Sequence, residues 1–380
     1  MSFLVILISF GYAMTLLCLA MPALKYMPNA LSRKRTQKKH SFSIIIVYRN
    51  EIDALPGLLE SITKLNYAKD LTQWIFVNDN SNDGSAQLIA DFHDRNSEIN
   101  VTQMERPVIS VSAKKDGITA AIKIAKFDYV ITTDADCVLP GQWLIAFNRH
   151  YQEFADALLV AAPVQLIGTG FIAAIQQLEM MALQTITAGA FAIRQPFMCN
   201  GANLSFRKDA FEAIDGYSGN DHLSSGDDIF LLEKLAAEDV IQCHYLKDLD
   251  AGVKTASKSH WSHLINQRAR WARKGKETKS LLNKLVAFHV AAMSLLFIIS
   301  PILWLMDLIS IQQLICVYLL KFFTDFIVLI IGNEFLAMRS WSRYFLPNFL
   351  IYPFVVIAIG IKSLGKLEWH GRSIDRSTDQ

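Results

Sequence analysis

The chain has 380 residues, 52% hydrophobic and 19% charged, and its 37 basic residues against 35 acidic ones leave a net charge of +2. So even a balance excludes recruitment of an acidic partner such as nucleic acid by bulk charge. The five cysteines (Cys18, Cys137, Cys199, Cys243, Cys316) form no Cys-x-x-Cys pair, which argues against a disulfide framework or a zinc site and fits a reducing compartment.

Residues 2–24 carry no charge and are long enough to cross a hydrocarbon core of about 30 Å as a helix. A cleaved signal peptide would want positive charge before the apolar run, whereas Arg33, Lys34, Arg35, Lys38 and Lys39 follow it. Residues 1–28 therefore read as an N-terminal transmembrane anchor, with the basic cluster on the cytoplasmic side.

Residues 41–280 have the mixed texture of a soluble domain. SIIIV (43–47) is the short β-branched run expected of a buried parallel strand. It releases Tyr48, Arg49, Asn50 and Glu51, and a helical spacing of Leu55, Leu58, Leu59, Ile62 and Leu65 follows. WIFV (74–77) predicts a second strand ending in Asn78 and Asp79, and YVITT (129–133) a third ending in Asp134-Ala135-Asp136. This alternation predicts an α/β domain with a parallel sheet, in which ligands bind beyond the carboxyl ends of the strands. No G-x-x-x-x-G-K-[ST] loop and no G-x-G-x-x-G after the first strand occurs, which weighs against P-loop and dinucleotide chemistry.

Asp134 and Asp136, leaving a strand one residue apart, suit a hard divalent cation that also holds phosphate oxygens; a plain turn is the competing reading of the tripeptide alone. Residues 164–193 are mostly apolar but hold Gln176, Gln177, Glu179 and Gln184, as in an interfacial helix or a buried domain helix. The Met180-Met181 pair reads as packing. Asp227-Asp228 opens an amphipathic helix (Ile229, Leu232, Leu235), where acidic residues favour the helix dipole. The alternative is a carboxylate that accepts the proton of an attacking hydroxyl. His260 and His263 flank Trp261 without further ligands nearby and read as surface or interface histidines.

QRARWARKG (267–275) lies about ten residues before the next apolar run. A basic collar at the headgroups is one explanation; guanidinium forks for a diphosphate and an indole face for a sugar are the other. Residues 281–364 read as a transmembrane region of two or three spans, broken near Asp307, and 365–380 as a polar tail. The last segment, about 345–361, contains Pro347 and Pro353 and is a span, a re-entrant segment or an interfacial one. Lys321 and Asp325 share one helix face and can pair, either structurally or along a substrate path. An anchor plus three spans would put Lys362, Lys366, Arg372 and Arg376 outside, against the positive-inside rule.

SIIIVYRNE, FVNDNSNDGS, AKKDGITAAI, YVITTDADC, NGANLSFRKDAFEAIDGY, SGDDIFLLEKL and QRARW occur in the order and rough spacing of family 2 glycosyltransferases. The resemblance covers about 43–275 and extends to membrane-bound members such as cellulose, hyaluronan and ceramide-glucosyl synthases. It implies an α/β GT-A (Rossmann-like nucleotide-diphospho-sugar transferase) cytosolic domain flanked by transmembrane α-helices.

By that resemblance Tyr48, Asn50 and Glu51 line the nucleotide site, Asp79 faces the base or ribose, and Lys114 approaches nucleotide or phosphate. Asp134 and Asp136 match the D-x-D site for metal and diphosphate. Asp228 matches the general base, with Asp227 where the family has Glu; Gln267, Arg268, Arg270 and Trp271 match Q-R-x-R-W on the acceptor and diphosphate side. Two departures are Ala113, where a Gly precedes the family's Lys, and Asn78, where it often has Asp. Without the resemblance, two solvated surface lysines are an alternative reading of Lys114 and Lys115.

The expectation is a membrane-bound inverting glycosyltransferase using Mg²⁺ or Mn²⁺ and a nucleotide sugar, a UDP-sugar foremost. Its acceptor is a lipid or glycan, its membrane the cell membrane, crossed several times with the catalytic domain cytoplasmic. A modest membrane part favours a lipid acceptor over a polymer channel. A processive polysaccharide synthase of the same family, or a non-catalytic membrane subunit that binds a nucleotide sugar, are the alternatives.

Overall fold

The computed structural model describes residues 2–25, 39–220, 223, 225–336, 338, 341–365, 368–369 and 372–373. Arg33, Lys34, Arg35, Lys38, Lys366 and Arg376, invoked above for orientation, lie outside the described residues. The chain divides into two compact units, one of residues 27–166 and 194–256, the other of residues 1–26, 167–193 and 257–380.

In chain order the helices are α1 (Ser2–Lys25), α2 (Leu55–Thr63), α3 (Ser85–Arg95), α4 (Ala113–Ile124), α5 (Trp143–Glu153) and α6 (Phe171–Ala192). Then come α7 (Lys208–Ala213), α8 (Asp227–Asp239), α9 (Trp261–Glu277), α10 (Leu281–Leu305), α11 (Ile311–Leu336) and α12 (Trp341–Ser363). The strands are β1 (Phe42–Tyr48), β2 (Thr72–Asn78), β3 (Val101–Glu105), β4 (Tyr129–Thr132) and β5 (Cys137–Val138). They continue with β6 (Leu159–Ala161), β7 (Val164–Ile167), β8 (Leu204–Arg207), β9 (Cys243–Tyr245) and β10 (Val253–Ala256).

The first unit is built on a seven-stranded sheet ordered β3-β2-β1-β4-β8-β6-β9. β3, β2, β1 and β4 run parallel, but β8 is antiparallel to both β4 and β6. The sheet is therefore mixed: the three strands expected from the sequence, β1, β2 and β4, are parallel, and the antiparallel β8 is added to them. A four-residue strand such as LSFR has no periodicity that fixes its direction. Registers align the carboxyl ends of the parallel block: Tyr48 pairs with Asn78 and Asn78 with Glu105, while Thr132 of β4 lies opposite Ile45. The polar residues released by β1, β2, β3 and β4 thus emerge along one edge, where open α/β sheets bind ligands. A second sheet, β5-β10-β7, stands beyond β4 in the chain path.

α4 is seated on that edge by Gly117. A Cβ there would come 2.8 Å from Val47 Cγ2 and 3.3 Å from Val77 Cγ1, so only glycine lets the helix rest directly on β1 and β2. Apolar residues behind the sheet complete the core, with Trp74 stacked on Trp143 at 6.5 Å between ring centroids.

The second unit is helical. α1, α10, α12 and the Ile311–Glu334 part of α11 are each long and apolar enough to cross a membrane. α12 is one continuous helix despite Pro347 and Pro353, and α10 and α11 are separated by a turn in which Asp307 has φ +56°. α6 packs against α1, α11 and α12 and buries Met180 and Met181 as packing residues. Its contacts are backbone-close: a Cβ on Gly189 would overlap the Leu19 carbonyl oxygen, and one on Gly332 would meet Thr185 Oγ1 at 2.4 Å. Small residues permit such approach between helices. α6 and α9 thus group with the apolar helices rather than with the segment 41–280. A helix that buries apolar surface on most of its circumference needs neighbours on every side, and α6 does so.

Candidate active site

The loops after β1 and β2 are stitched together by short polar side chains. Asn50, in the left-handed region at φ +52°, accepts from the Asn82 amide at 2.9 Å, and its own amide donates to Ser81 Oγ at 3.1 Å. The Glu51 amide donates to Ser85 Oγ at 2.9 Å and the Ile52 amide to Asp83 Oδ2 at 3.0 Å. Asn78, the departure from the family's Asp, is used on both sides of its amide. Its Oδ1 accepts from the Ser81 amide and its Nδ2 donates to Glu105, both at 2.9 Å. Tyr48 closes β1, its phenol pushed up to about 12 chiefly by burial, so it stays neutral.

Asp79 is 2% exposed and paired with Arg106 Nε at 2.6 Å; Arg106 Nη1 reaches Asp116 Oδ2 at 2.8 Å. Arg49 adds a longer approach to Asp79 at 3.6 Å. Asp116 also accepts from the amides of Ile109 and Ser110. Each buried charge therefore has an opposite partner, which a low-dielectric site requires.

α4 carries both Asp116 and Lys114 in its first turn. Lys114 Nζ lies 2.7 Å from Asp134 Oδ1 and 3.1 Å from Asp227 Oδ2. Burial alone would lower its pKa, but the charges of Asp134, Asp227 and Asp228 outweigh this and hold the ammonium well above its ordinary range. The first aspartate of D-x-D and the Asp-Asp pair, 93 residues apart by the difference of 227 and 134, thus share one cation. Asp228 is 7% exposed; its Oδ1 accepts from the Ile229 amide at 2.7 Å and its Oδ2 from the Gly201 amide at 3.3 Å. The first bond belongs to the helix start, where an acidic residue favours the dipole; the second ties Asp228 to a different segment. Asp136 accepts from Thr255 Oγ1 at 3.1 Å, across the β5–β10 pairing that sets Thr255 opposite Cys137.

Sequence reasoning assigned no role to Arg106, Asp116, Gly201 or Thr255. Gly201 lies within the NGANLSF stretch, and its glycine was the available signal; the others become visible only once the strands are registered. Lys115 is not a solvated surface lysine. It is 2% exposed, donates to the carbonyls of Asn220 and Leu223 at 2.6 and 2.9 Å, and lies over the Phe230 ring of α8. It therefore holds the chain that leads into Asp227.

Gln267, Arg268, Arg270 and Trp271 lie on α9, in the helical unit. Arg268 is buried, with Nε 2.7 Å from Glu179 Oε2 and Nη1 2.7 Å from Gln267 Oε1. Burial lowers the pKa of Arg270. His260 and His263 are exposed, as expected. Among the described residues no group of three or more His, Cys, Asp or Glu is arranged to hold a metal ion.

A mixed sheet with acidic residues gathered at the carboxyl ends of its parallel strands is the arrangement that the resemblance to GT-A glycosyltransferases implies. Residues 43–215 match the model of the family described as "Glycosyl transferase family 2", so the α/β unit is a domain of that family. The mannosyltransferase PcManGT from Pyrobaculum calidifontis, solved with GDP-Man and Mn²⁺, has the same fold at a TM-score of 0.58 and 14% identity, with 96% of this chain and 97% of that one aligned. A poly-beta-1,6-N-acetyl-D-glucosamine synthase from Staphylococcus epidermidis is 28% identical over 109 residues, 29% of this chain and 25% of that protein. One from Staphylococcus aureus is 27% identical over 116 residues, 30% and 26% respectively. The chain spans about a quarter of the length of the curated relatives it matches.

Proposed function

We propose that the protein is a membrane-bound inverting glycosyltransferase that moves a sugar from a nucleotide-diphospho-sugar to a lipid or lipid-linked acceptor. The observation that carries this reading is Lys114, held between Asp134 of D-x-D and Asp227 beside Asp228. It joins a diphosphate-binding element to a candidate base within one cluster.

In this reading Tyr48, Asn50, Glu51 and Asp79 receive the nucleoside, and Lys114 approaches the diphosphate. The acceptor oxygen forms its bond to the anomeric carbon as the bond from that carbon to the diphosphate oxygen breaks. The hydroxyl proton passes to Asp228, and the nucleoside diphosphate leaves with the electron pair. One base and one direct displacement invert the anomeric centre, and no second carboxylate is assigned as a nucleophile.

The residues present fit a divalent cation. Mg²⁺ and Mn²⁺ favour oxygen ligands, and Mg²⁺ takes only one or two protein carboxylates beside phosphate and water. Asp134 spends one oxygen on Lys114, which leaves it a second for such an ion; Asp136 accepts from Thr255 at one oxygen and, at 3.9 Å, from the weak Cys137 thiol donor at the other, a contact a cation would replace. When bound, the cation would neutralise charge on the leaving diphosphate.

The helical unit supports a lipid acceptor. Its interior is filled by α6, which meets α1 and α11 at backbone distance through Gly189 and Gly332. In this reading α1, α10, α11 and α12 cross the cell membrane and the α/β unit is cytoplasmic, following the basic cluster after residue 32. A processive synthase is the second reading, favoured by the matched quarter of the two polysaccharide synthases. Purified full-length protein incubated with Mn²⁺ or Mg²⁺, a panel of UDP- and GDP-sugars and a lipid extract tests both. Mass spectrometry should find a single-sugar lipid product; a polymer ladder overturns the lipid preference, and no nucleoside diphosphate release with any donor overturns the transferase.

A further inference from the structure

Arg268 is the one buried member among the four residues of α9 matched to Q-R-x-R-W, at 3% exposure. A buried guanidinium needs an anion, and Glu179 of α6, also buried, supplies it at 2.7 Å from Nε. The other oxygen of Glu179 accepts from the Tyr352 hydroxyl of α12 at 3.1 Å. From this anchored position Arg268 reaches both neighbours in the motif. Nη1 donates to Gln267 Oε1 at 2.7 Å, and the guanidinium carbon lies 4.0 Å from the Trp271 ring centroid.

The spacing allows this, since positions 268 and 271 are i and i+3 on one helix face. A planar guanidinium can stack on an indole and spend its edge on a carboxylate at the same time; an ammonium cannot. Trp271 stays only partly buried, so the stacked ring keeps accessible surface. Arg268 Nη2 is buried without a hydrogen-bond partner among the described residues.

We propose that Glu179 and Tyr352 are positioning residues for transfer. Acting through Arg268, they set Gln267 and Trp271 in the orientation that receives the acceptor. This rests on the reading that Q-R-x-R-W serves the acceptor side, and it ties the last apolar helix and α6 to that function. Arg268 then acts through its neighbours in the motif and not as a diphosphate fork.

The test uses full-length protein in detergent, a panel of UDP-glucose, UDP-N-acetylglucosamine and GDP-mannose, and a polar lipid extract. Glycolipid formed, donor hydrolysed by water and the unfolding temperature are read for each variant. Glu179→Gln should lower glycolipid formation by about tenfold or more, since small misplacements of positioning groups have effects of that order. Donor KM and hydrolysis should stay within about twofold of wild type, the split expected when acceptor placement alone is lost. Glu179→Asp should restore most of the transfer, and Tyr352→Phe should lower it severalfold. The exchanged pair Glu179→Arg with Arg268→Glu should recover the unfolding temperature but not transfer.

Glycolipid formation within twofold of wild type for Glu179→Gln overturns the proposal, as does recovery of transfer in the exchanged pair, which a purely structural tie predicts. Full transfer by Trp271→Ala would instead remove the acceptor reading of the motif on which the proposal rests. Absence of any product from wild type would overturn the transferase reading, and this inference with it.

Discussion

The Gly201 amide donates to Asp228 Oδ2 at 3.3 Å, which brings the backbone of one segment directly against the start of α8. A Cβ at position 201 would lie 2.5 Å from Asp227 Oδ2 and 3.1 Å from Lys114 Nζ. A side chain at 201 would therefore displace the ends of Asp227 and Lys114. Gly201→Ala should push Asp227 off Lys114 and lower transfer by about a hundredfold, since misplacing a catalytic group by about 1 Å has effects of that order. The fold should survive, with the unfolding temperature of the purified variant shifting by no more than a few degrees. An active Gly201→Ala enzyme would show that Asp227 and Lys114 need not stay in contact.

Asp228 and Asp134 should separate chemistry from donor binding. Asp228→Asn keeps the shape but can accept from only one of the Ile229 and Gly201 amides, and it removes the proton acceptor, so kcat should fall by about 10²–10⁴-fold. Donor affinity, measured by titration calorimetry, should change little. Asp134→Asn weakens the hold on Lys114 and should instead raise the donor Kd in the presence of Mn²⁺. Unchanged turnover in Asp228→Asn would remove the base assignment.

Much of the site was legible before the strands were registered. The polar residues after SIIIV, WIFV and YVITT mark the carboxyl ends of β1, β2 and β4 because a buried strand must be apolar until it leaves the sheet. Arg106 was not legible, since nothing in ERPVIS says that its side chain turns back to Asp79. The burial of Lys115 was not legible because a lysine is ordinarily exposed; the Asn220 and Leu223 carbonyls explain it. The antiparallel β8 was not legible, since its four residues carry no direction. The helical character of 164–193 was visible, but its company was not; Gly189 and Gly332 matter only through what they touch in space.

Acid should destabilise the α/β unit through His150. Its Nε2 lies 2.9 Å from His244 Nδ1, and His244 Nε2 donates to the Ile241 carbonyl at 3.0 Å. Burial, and secondarily the charge of His244, lowers the pKa of His150 to about 3. A histidine depressed below its unfolded value contributes stability that is full above about pH 6.5 and is lost as pH falls towards 3, because only the unfolded chain takes up the proton. Each pH unit in that window should cost up to about 1.4 kcal/mol. Thermal unfolding at pH 7 and pH 5 should show the loss, and His150→Gln should flatten it. An equal slope in the variant would assign the acid sensitivity elsewhere.

The last prediction concerns Lys321 and Asp325 of α11. Asp325 accepts from both Lys321 Nζ and the Tyr12 hydroxyl of α1, and the ammonium lies 5.0 Å from the Phe349 ring centroid of α12. Lys321 is 3% exposed, so Asp325→Leu would leave a buried cation without its partner, a loss of about 3–5 kcal/mol. Replacing both with apolar residues of similar size, Lys321→Met with Asp325→Leu, removes the desolvation penalty along with the attraction and should recover most of that stability. Denaturation of the detergent-solubilised variants separates the three states. Transfer activity then decides between the two roles a charged pair can have in an apolar helix. A purely structural pair predicts a double variant that is stable and active within about twofold of wild type, which is the expected result. A double variant that unfolds like wild type but transfers no sugar would place Lys321 and Asp325 on the acceptor's path.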